Sequence, residues 1–470
     1  MLFNSITFLL VFLPITLVLY FVLPKQLRNI ILLLVSIFFY AWGEPIYIFL
    51  MVISILLNYF CGMDIHNRKK LGLEAKNSFI FAVVVNLAVL GFFKYYEFAI
   101  TTINGIFSAD FAIRNLPLPI GISFYTFQAI SYLVDIYRGN AKAQSNLIKF
   151  GVYLAMFPSL IAGPIVRYLD VEVQLSERQV TWDKFGAGLM LFIIGLGKKV
   201  VISGSAGMIF GQIMGMDLGS FSALTAWVGV FAFAFQIYFD FSGYSDMAIG
   251  LAKMFGFELL PNFNYPYTAT SIGDFCRRWH ISLSTWFRDY VYIPLGGSQV
   301  PLSRNVLNLL VVWAIVGLWH GAAWHFVFWG LYFGIIVALE KFVWGKFIRR
   351  LPRVIGQTYA LFLIMIGWVF FFSPSLSFAI TYIQTMFGIG VSGILDTQGI
   401  FLLASNWLMA VFMVLGSSTL GFRALRYVIN AFANPVMKKL VTSFIYLGIF
   451  VISLAFILTY GSTPFFYFRF

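Results

Sequence analysis

The sequence predicts an all-α polytopic membrane protein, and three observations lead to that prediction. The chain of 470 residues is 61% hydrophobic and only 10% charged, whereas about 25% of the residues of a soluble domain carry a charge. Its mean hydropathy is +0.89, and its apolar residues lie in long runs separated by short basic loops. Because no soluble fold can bury that much apolar surface, we expect most of the chain to lie in a lipid bilayer.

Thirteen apolar segments are candidates for helices that cross or enter the bilayer, where a full crossing takes about 20 residues. Several are short, and glycine or proline interrupts others, which is typical of re-entrant pieces whose backbone the rest of the protein must bury. We expect about eleven transmembrane helices plus one or two re-entrant segments, all in one membrane domain over residues 1–470. The segments lie near 6–23, 29–42, 45–62, 78–95, 121–137, 147–166, 185–210, 221–239, 307–320, 324–344, 358–373, 401–416 and 442–460.

The charge pattern is that of a membrane protein and not of a nucleic-acid-binding protein. The net charge of +13 is concentrated in short loops between apolar segments, as the positive-inside rule describes. The first apolar segment lacks a signal-peptide cleavage site, so we interpret it as a transmembrane helix, and Lys25 and Arg28 after it place the first loop in the cytoplasm. The two cysteines, Cys61 and Cys276, are too few for a disulfide framework or a metal motif, and we expect free thiols.

A polar segment at residues 261–305 contains four arginines and several aromatic residues at nearly helical spacing. One interpretation is an interfacial amphipathic helix in which Trp279, Trp286 and Tyr290 face the lipid. The other is that the arginines line a cytosolic opening and bind an anionic substrate, because a guanidinium group matches the geometry of phosphate oxygens. The arginines concerned are Arg277, Arg278, Arg288 and Arg304.

The segment LWHGAAWHF at residues 318–326 places two of the four histidines in an apolar region. An ionisable side chain within a membrane is by default a functional candidate. His320 is therefore either a proton acceptor near neutral pH or a neutral imidazole that donates to a carbonyl. His325 lies about 140° further around a helix, so the two cannot chelate one metal, no metal site is expected, and we assign His325 to packing. His280 is either an interface residue or a second member of a site with His320.

Five carboxylates interrupt apolar runs and need partners, because an uncompensated charge at the centre of a bilayer costs about 2.5–3.5 kcal/mol. They could form an ion pathway, or they could pair with arginines such as Arg138 or Arg167 and stabilise the fold. The sequence favours pairing. The five are Glu44, Asp135, Asp240, Asp246 and Glu340.

An ordered series of motifs along the whole chain closely resembles the membrane-bound O-acyltransferase family, in particular its bacterial branch of alginate O-acetylase membrane subunits. The family fold is a ring of tilted helices around a thinned centre, where a cytosolic funnel meets an extracytoplasmic opening, and the resemblance implies that fold here. The motifs are MLFNSITFLLVFLPITLVLYFVLP, FYAWGEP, LPLPIGISFYTFQAISYLVDIYRG, FPSLIAGPIVRY, QIYFDFSGYSDMAIGLAKMFGF, NFNYPYTATSIGDFCRRWHISLSTWFRDYVYIPLGG, GLWHGAAWHFVFWG and the terminal FFYFRF.

The resemblance also implies roles for individual residues. His320, in the Trp-His-Gly motif, is implied to be the catalytic histidine that acts as a base, and His280, in RRWHISLSTW, matches the second functional position. The implied reaction is transfer of an acetyl group from acetyl-CoA to a hydroxyl group, with no bound cofactor and no metal. Candidates for binding the donor are Arg277, Arg278, Arg288 and Trp319.

The resemblance implies a multi-pass protein of the bacterial cytoplasmic membrane, in contact with the lipid bilayer. The acetyl group is expected to pass to an extracytoplasmic partner, a serine-hydrolase-like O-acetyltransferase, that modifies a cell-wall or secreted polysaccharide. Nothing in the chain resembles such a soluble partner domain, and nucleic acid is not expected as a partner.

Two alternatives remain open at the level of sequence. The nearer one is transfer of D-alanine from a carrier protein towards teichoic acid, which belongs to another branch of the same family. The other is a polytopic transporter or polysaccharide exporter, which thirteen apolar segments with Asp240 and Asp246 would also fit. The absence of a visible internal repeat and the clustering of motifs around His280 and His320 favour an acyltransferase.

Overall fold

The structure, a computed structural model, describes residues 1–114, 117–391 and 393–462; the terminal motif FFYFRF lies outside the described residues. All regular secondary structure within these ranges is helical. Eleven α-helices come first: α1 (Leu13–Val22), α2 (Arg28–Gly43), α3 (Ile48–Lys70), α4 (Lys76–Phe107), α5 (Ile122–Arg138), α6 (Leu147–Ala155), α7 (Phe157–Leu160), α8 (Tyr168–Val171), α9 (Gln174–Glu177), α10 (Trp182–Gly197) and α11 (Gly204–Met214). Twelve follow: α12 (Ala223–Met254), α13 (Ile272–Arg278), α14 (Ile281–Phe287), α15 (Leu302–His320), α16 (Trp324–Leu339), α17 (Gly345–Ile348), α18 (Arg353–Phe372), α19 (Leu376–Met386), α20 (Thr397–Ser405), α21 (Trp407–Gly416), α22 (Thr419–Asn430) and α23 (Pro435–Tyr460).

Nine helical segments of the described chain are long and apolar enough to cross a membrane, or ten if α20 and α21, bent by 66°, form one broken span. All thirteen predicted apolar segments form helices over most of their length, which confirms the fold class. Full crossings are fewer than expected because the segment near 121–137 forms a helix of 17 residues and the segment near 147–166 is divided at Met156, after which α7 begins at Phe157 with Pro158 in its first turn. The nine segments are Lys25–Gly43, Ile48–Lys70, Lys76–Phe107, Trp182–Met214, Ala223–Met254, Leu302–His320, Trp324–Ile348, Arg353–Phe372 and Pro435–Tyr460.

The helices form two compact units, the first from Met1–Phe192 with Ser245–Leu260 and the second from Ile193–Tyr244 with Pro261–Phe470. In the first unit, Arg178 ties three segments together. Its guanidinium group donates to the hydroxyl of Tyr20 at 3.0 Å and to the side-chain oxygen of Asn29 at 2.7 Å. Because a guanidinium group offers five donors in a fixed plane, one side chain can orient several elements at once.

Two buried asparagines join α3 and α4 in the same unit. The side-chain amide of Asn58 donates to Asn86 at 3.1 Å, and Asn86 donates back to Asn58 at 2.8 Å. Side-chain hydrogen bonds of this kind between membrane helices contribute about 0.6 kcal/mol on average. Their larger effect is to fix the register of the two spans, since a shifted register would leave both amides unpaired in an apolar environment.

The second unit contains a buried ion pair between Lys199 and Asp240. The sequence analysis named arginines as partners for the carboxylates, and for Asp240 the structure shows a lysine instead. Lys199 belongs to a π-helical turn, Lys198–Ser203, between α10 and α11. A side chain on Gly243 would lie 2.8 Å from the backbone nitrogen of Lys199, so this glycine lets α12 approach closely enough for the pair to form.

The close packing of α15 on α16 places the end of α15, which carries His320. A Cβ on Gly317 would overlap the backbone oxygen of Phe326, and a Cβ on Gly330 would overlap the backbone oxygen of Trp313. Small residues allow two membrane helices to bring their backbones into direct contact, which dispersion forces then stabilise. The two glycines therefore hold both helices in one register.

We predict that Gly330→Ala separates α15 from α16 and lowers the free energy of unfolding by about 1–3 kcal/mol, because overpacking a tight contact forces the backbones apart. The measurement is the thermal unfolding midpoint of the detergent-purified protein. Gly448→Ala is the matched control, since a Cβ at Gly448 on α23 would have nothing within 4 Å. Equal midpoints for the two variants would contradict the close-contact explanation.

Candidate active site

His320 is the last residue of α15, and the helix ends there because Gly321 has an extended backbone with φ of −165°. A Cβ on Gly321 would overlap the ring of Phe326, so a glycine is required for this tight connection. The helix restarts at Trp324. His320 and His325 thus lie on different helices. His325 is half-buried with its ring 4.2 Å from that of Phe326, a contact that fits the packing role predicted for it.

His320 is enclosed by aromatic rings and is only 4% exposed. Its ring centroid lies 4.9 Å from Trp319, 4.8 Å from Trp329 on α16 and 5.5 Å from Phe371 on α18. All three rings meet the imidazole edge-on. The imidazole of His320 is thus surrounded by aromatic rings on α15, α16 and α18.

His280 lies between α13 and α14 and is 1% exposed. Its φ of 43° is left-handed, a conformation that costs a non-glycine residue about 1–3 kcal/mol and that clusters at functional sites. Its ring lies 4.6 Å from Phe241 on α12 and 5.9 Å from Trp319. The indole of Trp319 therefore contacts both histidines, and the structure brings together three residues that the sequence analysis selected.

The side chain of Asn262 determines which ring nitrogen of His280 carries the hydrogen. The side-chain oxygen of Asn262 accepts from the backbone N–H of Ser282 at 3.1 Å and from the Ser282 hydroxyl at 3.0 Å. Since a backbone N–H can only donate, the Asn262 atom that faces it is the oxygen and not the nitrogen. This oxygen lies 3.3 Å from Nδ1 of His280, so Nδ1 carries the hydrogen and the lone pair resides on Nε2.

Buried polar atoms around the histidines that have no hydrogen-bond partner within the described residues include Nε2 of His280 and the indole nitrogens of Trp279 and Trp329. An unsatisfied buried polar group costs about 1–3 kcal/mol. One acceptor and two donors are thus maintained at a cost in an otherwise apolar environment, which is typical of a site prepared for a substrate. Burial lowers the pKa of His280, which lies outside the nine candidate spans, to about 3, so its Nε2 lone pair is available at every physiological pH.

Glu340 anchors the segment that carries His280. Its two carboxylate oxygens accept from the backbone N–H groups of Ile272 at 2.7 Å and Gly273 at 2.8 Å, the first residues of α13. Ser271 adds an N-cap through a 3.0 Å bond from the Asp274 N–H. A carboxylate at a helix N-terminus accepts from backbone N–H groups that have no partner within the helix, and its negative charge interacts favourably with the positive end of the helix dipole. The partner that the sequence analysis required for Glu340 is therefore a pair of backbone amides.

The three arginines predicted to bind the donor lie on the same segment, and they differ in how firmly neighbouring residues hold their side chains. Arg278 is held most firmly, by a 3.0 Å bond to Asp274 and a 3.4 Å bond to the carbonyl of Asn264. Arg288 donates to Asp289 at 2.6 Å, and its side chain is 60% exposed. Arg277 is 72% exposed and pairs with Asp274 only at 3.5 Å. Arg277 is thus the most available to a ligand, and donor binding by any of the three stays a prediction.

The predicted lipid-facing role of the aromatic residues in this segment is wrong for two of them. Trp279 and Trp286 are 6% and 5% exposed, and Trp279 packs on Trp368 at 5.0 Å. The reason is the left-handed His280, which separates the two short helices α13 and α14. One helical periodicity therefore does not extend across the segment, and the spacing of its aromatic residues does not define a single amphipathic face.

Cys276 and Cys61 are free thiols, as predicted, and burial raises the pKa of Cys276. No group of three or more histidine, cysteine or acidic side chains that could hold a metal ion occurs in the described parts of the chain. Asn262, Trp329 and Glu340 were not assigned site roles from the sequence. The polarity of NFN and the carboxylate in an apolar run were the only available signals.

Taken together, fold and site define a polytopic membrane protein with two buried histidines linked by a tryptophan. The profile of MBOAT, the membrane-bound O-acyltransferase family, matches residues 140–380, which include both histidines. A probable alginate O-acetylase AlgI of Azotobacter vinelandii is 41% identical over 394 residues, 83% of this chain and 79% of that protein. The chain belongs to the membrane-bound O-acyltransferase family and is an O-acyltransferase.

Two further relatives differ in the group they transfer or the polymer they modify. The peptidoglycan O-acetyltransferase of Helicobacter pylori is 36% identical over 429 residues, 83% of this chain and 81% of that protein. The teichoic acid D-alanyltransferase of Bacillus subtilis is 27% identical over 255 residues, 51% of this chain and 63% of that protein. The relatives named for acetyl transfer thus match a longer part of the chain, and at a higher sequence identity, than the relative named for D-alanyl transfer.

We predict that Asn262 controls the acyl-transfer rate through the His280 tautomer. Asn262→Leu removes the acceptor and lowers kcat by about 10²-fold with little change in KM. Asn262→Asp keeps the acceptor but raises the pKa of His280, because a carboxylate stabilises the imidazolium. Its activity is then lost as the pH falls through the raised pKa, and the pH profile of kcat gains an acidic limb that the wild type lacks.

The matched control is Asn264→Asp, since Asn264 lies two residues further on with an exposed side chain. A merely structural Asn262 would give the aspartate variant a lower rate with an unchanged pH profile. That result, or an acidic limb of equal size in the control, would contradict the tautomer assignment.

Proposed function

We propose that this protein moves an acetyl group from cytosolic acetyl-CoA through the bacterial cytoplasmic membrane to an extracytoplasmic acceptor, for O-acetylation of a cell-wall or secreted polysaccharide. The observation that carries the proposal is the pair of buried histidines whose rings both contact the indole of Trp319. Identities of 41% and 36% to relatives named for O-acetylation of two different polymers support acetyl as the transferred group.

The chemistry requires a base, because a hydroxyl group is a poor nucleophile at its ordinary pKa and a positioned base contributes about 10²–10⁴ in rate. The hydroxyl oxygen attacks the thioester carbonyl carbon while its proton passes to the imidazole of His320. The carbon–sulfur bond then breaks, and the imidazole returns the proton to the leaving thiolate. His280 presents a second lone pair, on Nε2, that orients the hydroxyl or assists in the proton transfer.

Negative charge develops on the carbonyl oxygen during this attack and needs a donor. The indole N–H of Trp329 meets the requirement, because it is buried, lacks a partner among the described residues and belongs to a ring in contact with His320. A donor in a water-free site is worth far more than one in solution. We assign it to the carbonyl oxygen of the acyl group.

The phosphates of the donor need cations at the membrane surface. Arg277 and Arg288 are exposed by 72% and 60%, so each can exchange its carboxylate partner for a phosphate at little cost, since exposed ion pairs contribute only about 0–1 kcal/mol. Arg278, which is held at two points, orients the segment. Relatives named for two different polymers fit an acceptor chosen by a separate extracytoplasmic partner, a serine-hydrolase-like O-acetyltransferase.

The first test is turnover of radiolabelled acetyl-CoA by the detergent-purified protein, with D-alanyl carrier protein as the parallel donor. We expect turnover of acetyl-CoA, its loss in His320→Ala, and its retention in His325→Ala, the matched histidine control. Turnover of the D-alanyl donor alone would assign the chain to the D-alanyl branch, which the 27% identical relative represents. Turnover of neither donor, even with the partner protein present, would overturn both assignments of the acyl donor.

A second prediction concerns the proposed carbonyl donor. Trp329→Phe keeps the aromatic contact with His320 and removes only the N–H, so kcat should fall by about 10²-fold, as for the loss of one oxyanion donor, with KM nearly unchanged. Trp324→Phe on the same helix is the control, because Trp324 is 55% exposed. A Trp329→Phe enzyme with wild-type kcat would exclude this role.

A further inference from the structure

The helix α22 has no part in the site described above, and its charge is unusual. It connects α21 to the last candidate span, α23, through short links at 417–418 and 431–434. Residues 417–440 contain four basic side chains and no acidic one. Among the described residues, neither arginine of the helix forms an ion pair with a carboxylate. The basic residues are Arg423, Arg426, Lys438 and Lys439.

The exposure of α22 divides the helix into three faces. Gly421, Leu425 and Ile429, four residues apart, are half-buried and face the rest of the second unit. The second face is apolar and exposed, and includes Leu420 at 56% and Val428 at 51%. The remaining side is polar, with both arginines, and no residue of α22 is fully buried.

These faces fit the boundary between lipid tails and water. Both short links tie α22 to apolar helices, so it lies at the level where α23 begins. An exposed apolar face at that level is stable in acyl chains and costly in water, and basic side chains beside it reach the headgroup region. The guanidinium of Arg426 lies 4.9 Å from the ring centroid of Phe422, so the charge is held against the apolar edge by a cation–π contact.

We propose that α22 lies in the headgroup layer and, with the first turn of α23, forms a binding surface for anionic phospholipids. Arg423 and Arg426 contact lipid phosphates, and Lys438 and Lys439 at the start of the span add charge at the same level. The positive-inside rule places this surface on the cytoplasmic leaflet. The proposal does not depend on the acyl-transfer reaction.

The test is a titration of the purified full-length protein, in a neutral detergent, with phosphatidylglycerol or phosphatidylcholine, followed by native mass spectrometry of the bound lipids. We expect preferential binding of phosphatidylglycerol. Arg423→Gln with Arg426→Gln should weaken it by about 25-fold, since each basic residue near a membrane surface contributes about fivefold, and should leave phosphatidylcholine binding unchanged. The charge-conserving pair Arg423→Lys with Arg426→Lys should retain most of the preference.

The matched control is Arg349→Gln with Arg350→Gln, which removes the same charge from another exposed pair. Equal weakening in this control would overturn the proposal in favour of unspecific attraction. So would displacement of the lipid by millimolar inorganic phosphate, or a dimer that dissociates in the glutamine variant, which would assign the surface to a second copy of the chain. Gel filtration verifies folding, and the lysine variant keeps the test decisive if the glutamine variant aggregates.

Discussion

The direct backbone contact between α15 and α16 at Gly317 and Gly330 is the constraint on which the candidate site depends. It sets the distance between His320, at the end of one helix, and Trp329, on the next. A side chain at either glycine would push the helices apart by more than the tolerance of a proton-transfer geometry, since a misplacement of about 1 Å costs about 10²-fold in rate. The tight glycine contact thus gives a membrane-embedded histidine a defined position relative to the next helix.

The second histidine is positioned by the opposite means. The chain near His280 is irregular, and irregular backbone within a membrane protein must be satisfied by the protein itself. Glu340 caps α13, and Asn262 accepts from Ser282 and orients the imidazole. The left-handed backbone of His280, between two short helices, places its ring in the protein interior. Polar groups from three distant parts of the chain therefore fix one imidazole. The two histidines show how packing and hydrogen bonding can each produce a defined geometry.

The helical fold and the two histidines could be predicted because both are recorded locally, in apolar runs and in short motifs. The supporting groups could not, because their partners are distant in sequence. Glu340 meets Ile272 across 68 positions and Lys199 meets Asp240 across 41, and composition does not show which residues meet. The orientation of Trp279 was missed for a different reason. Periodicity assumes a continuous helix, and the left-handed φ of His280 breaks that assumption at the residue where it matters most.

The buried pair of Lys199 and Asp240 has a consequence for how the chain enters the membrane. The two charges belong to successive spans, Trp182–Met214 and Ala223–Met254, and the ribosome delivers the lysine first. Until the aspartate arrives, the earlier span carries an unpaired charge, which is costly in hydrocarbon. The two spans are therefore released into lipid most favourably as a hairpin, after their charges have met beside the insertion machinery. The pair that joins the two spans in the folded protein thus also favours their joint insertion.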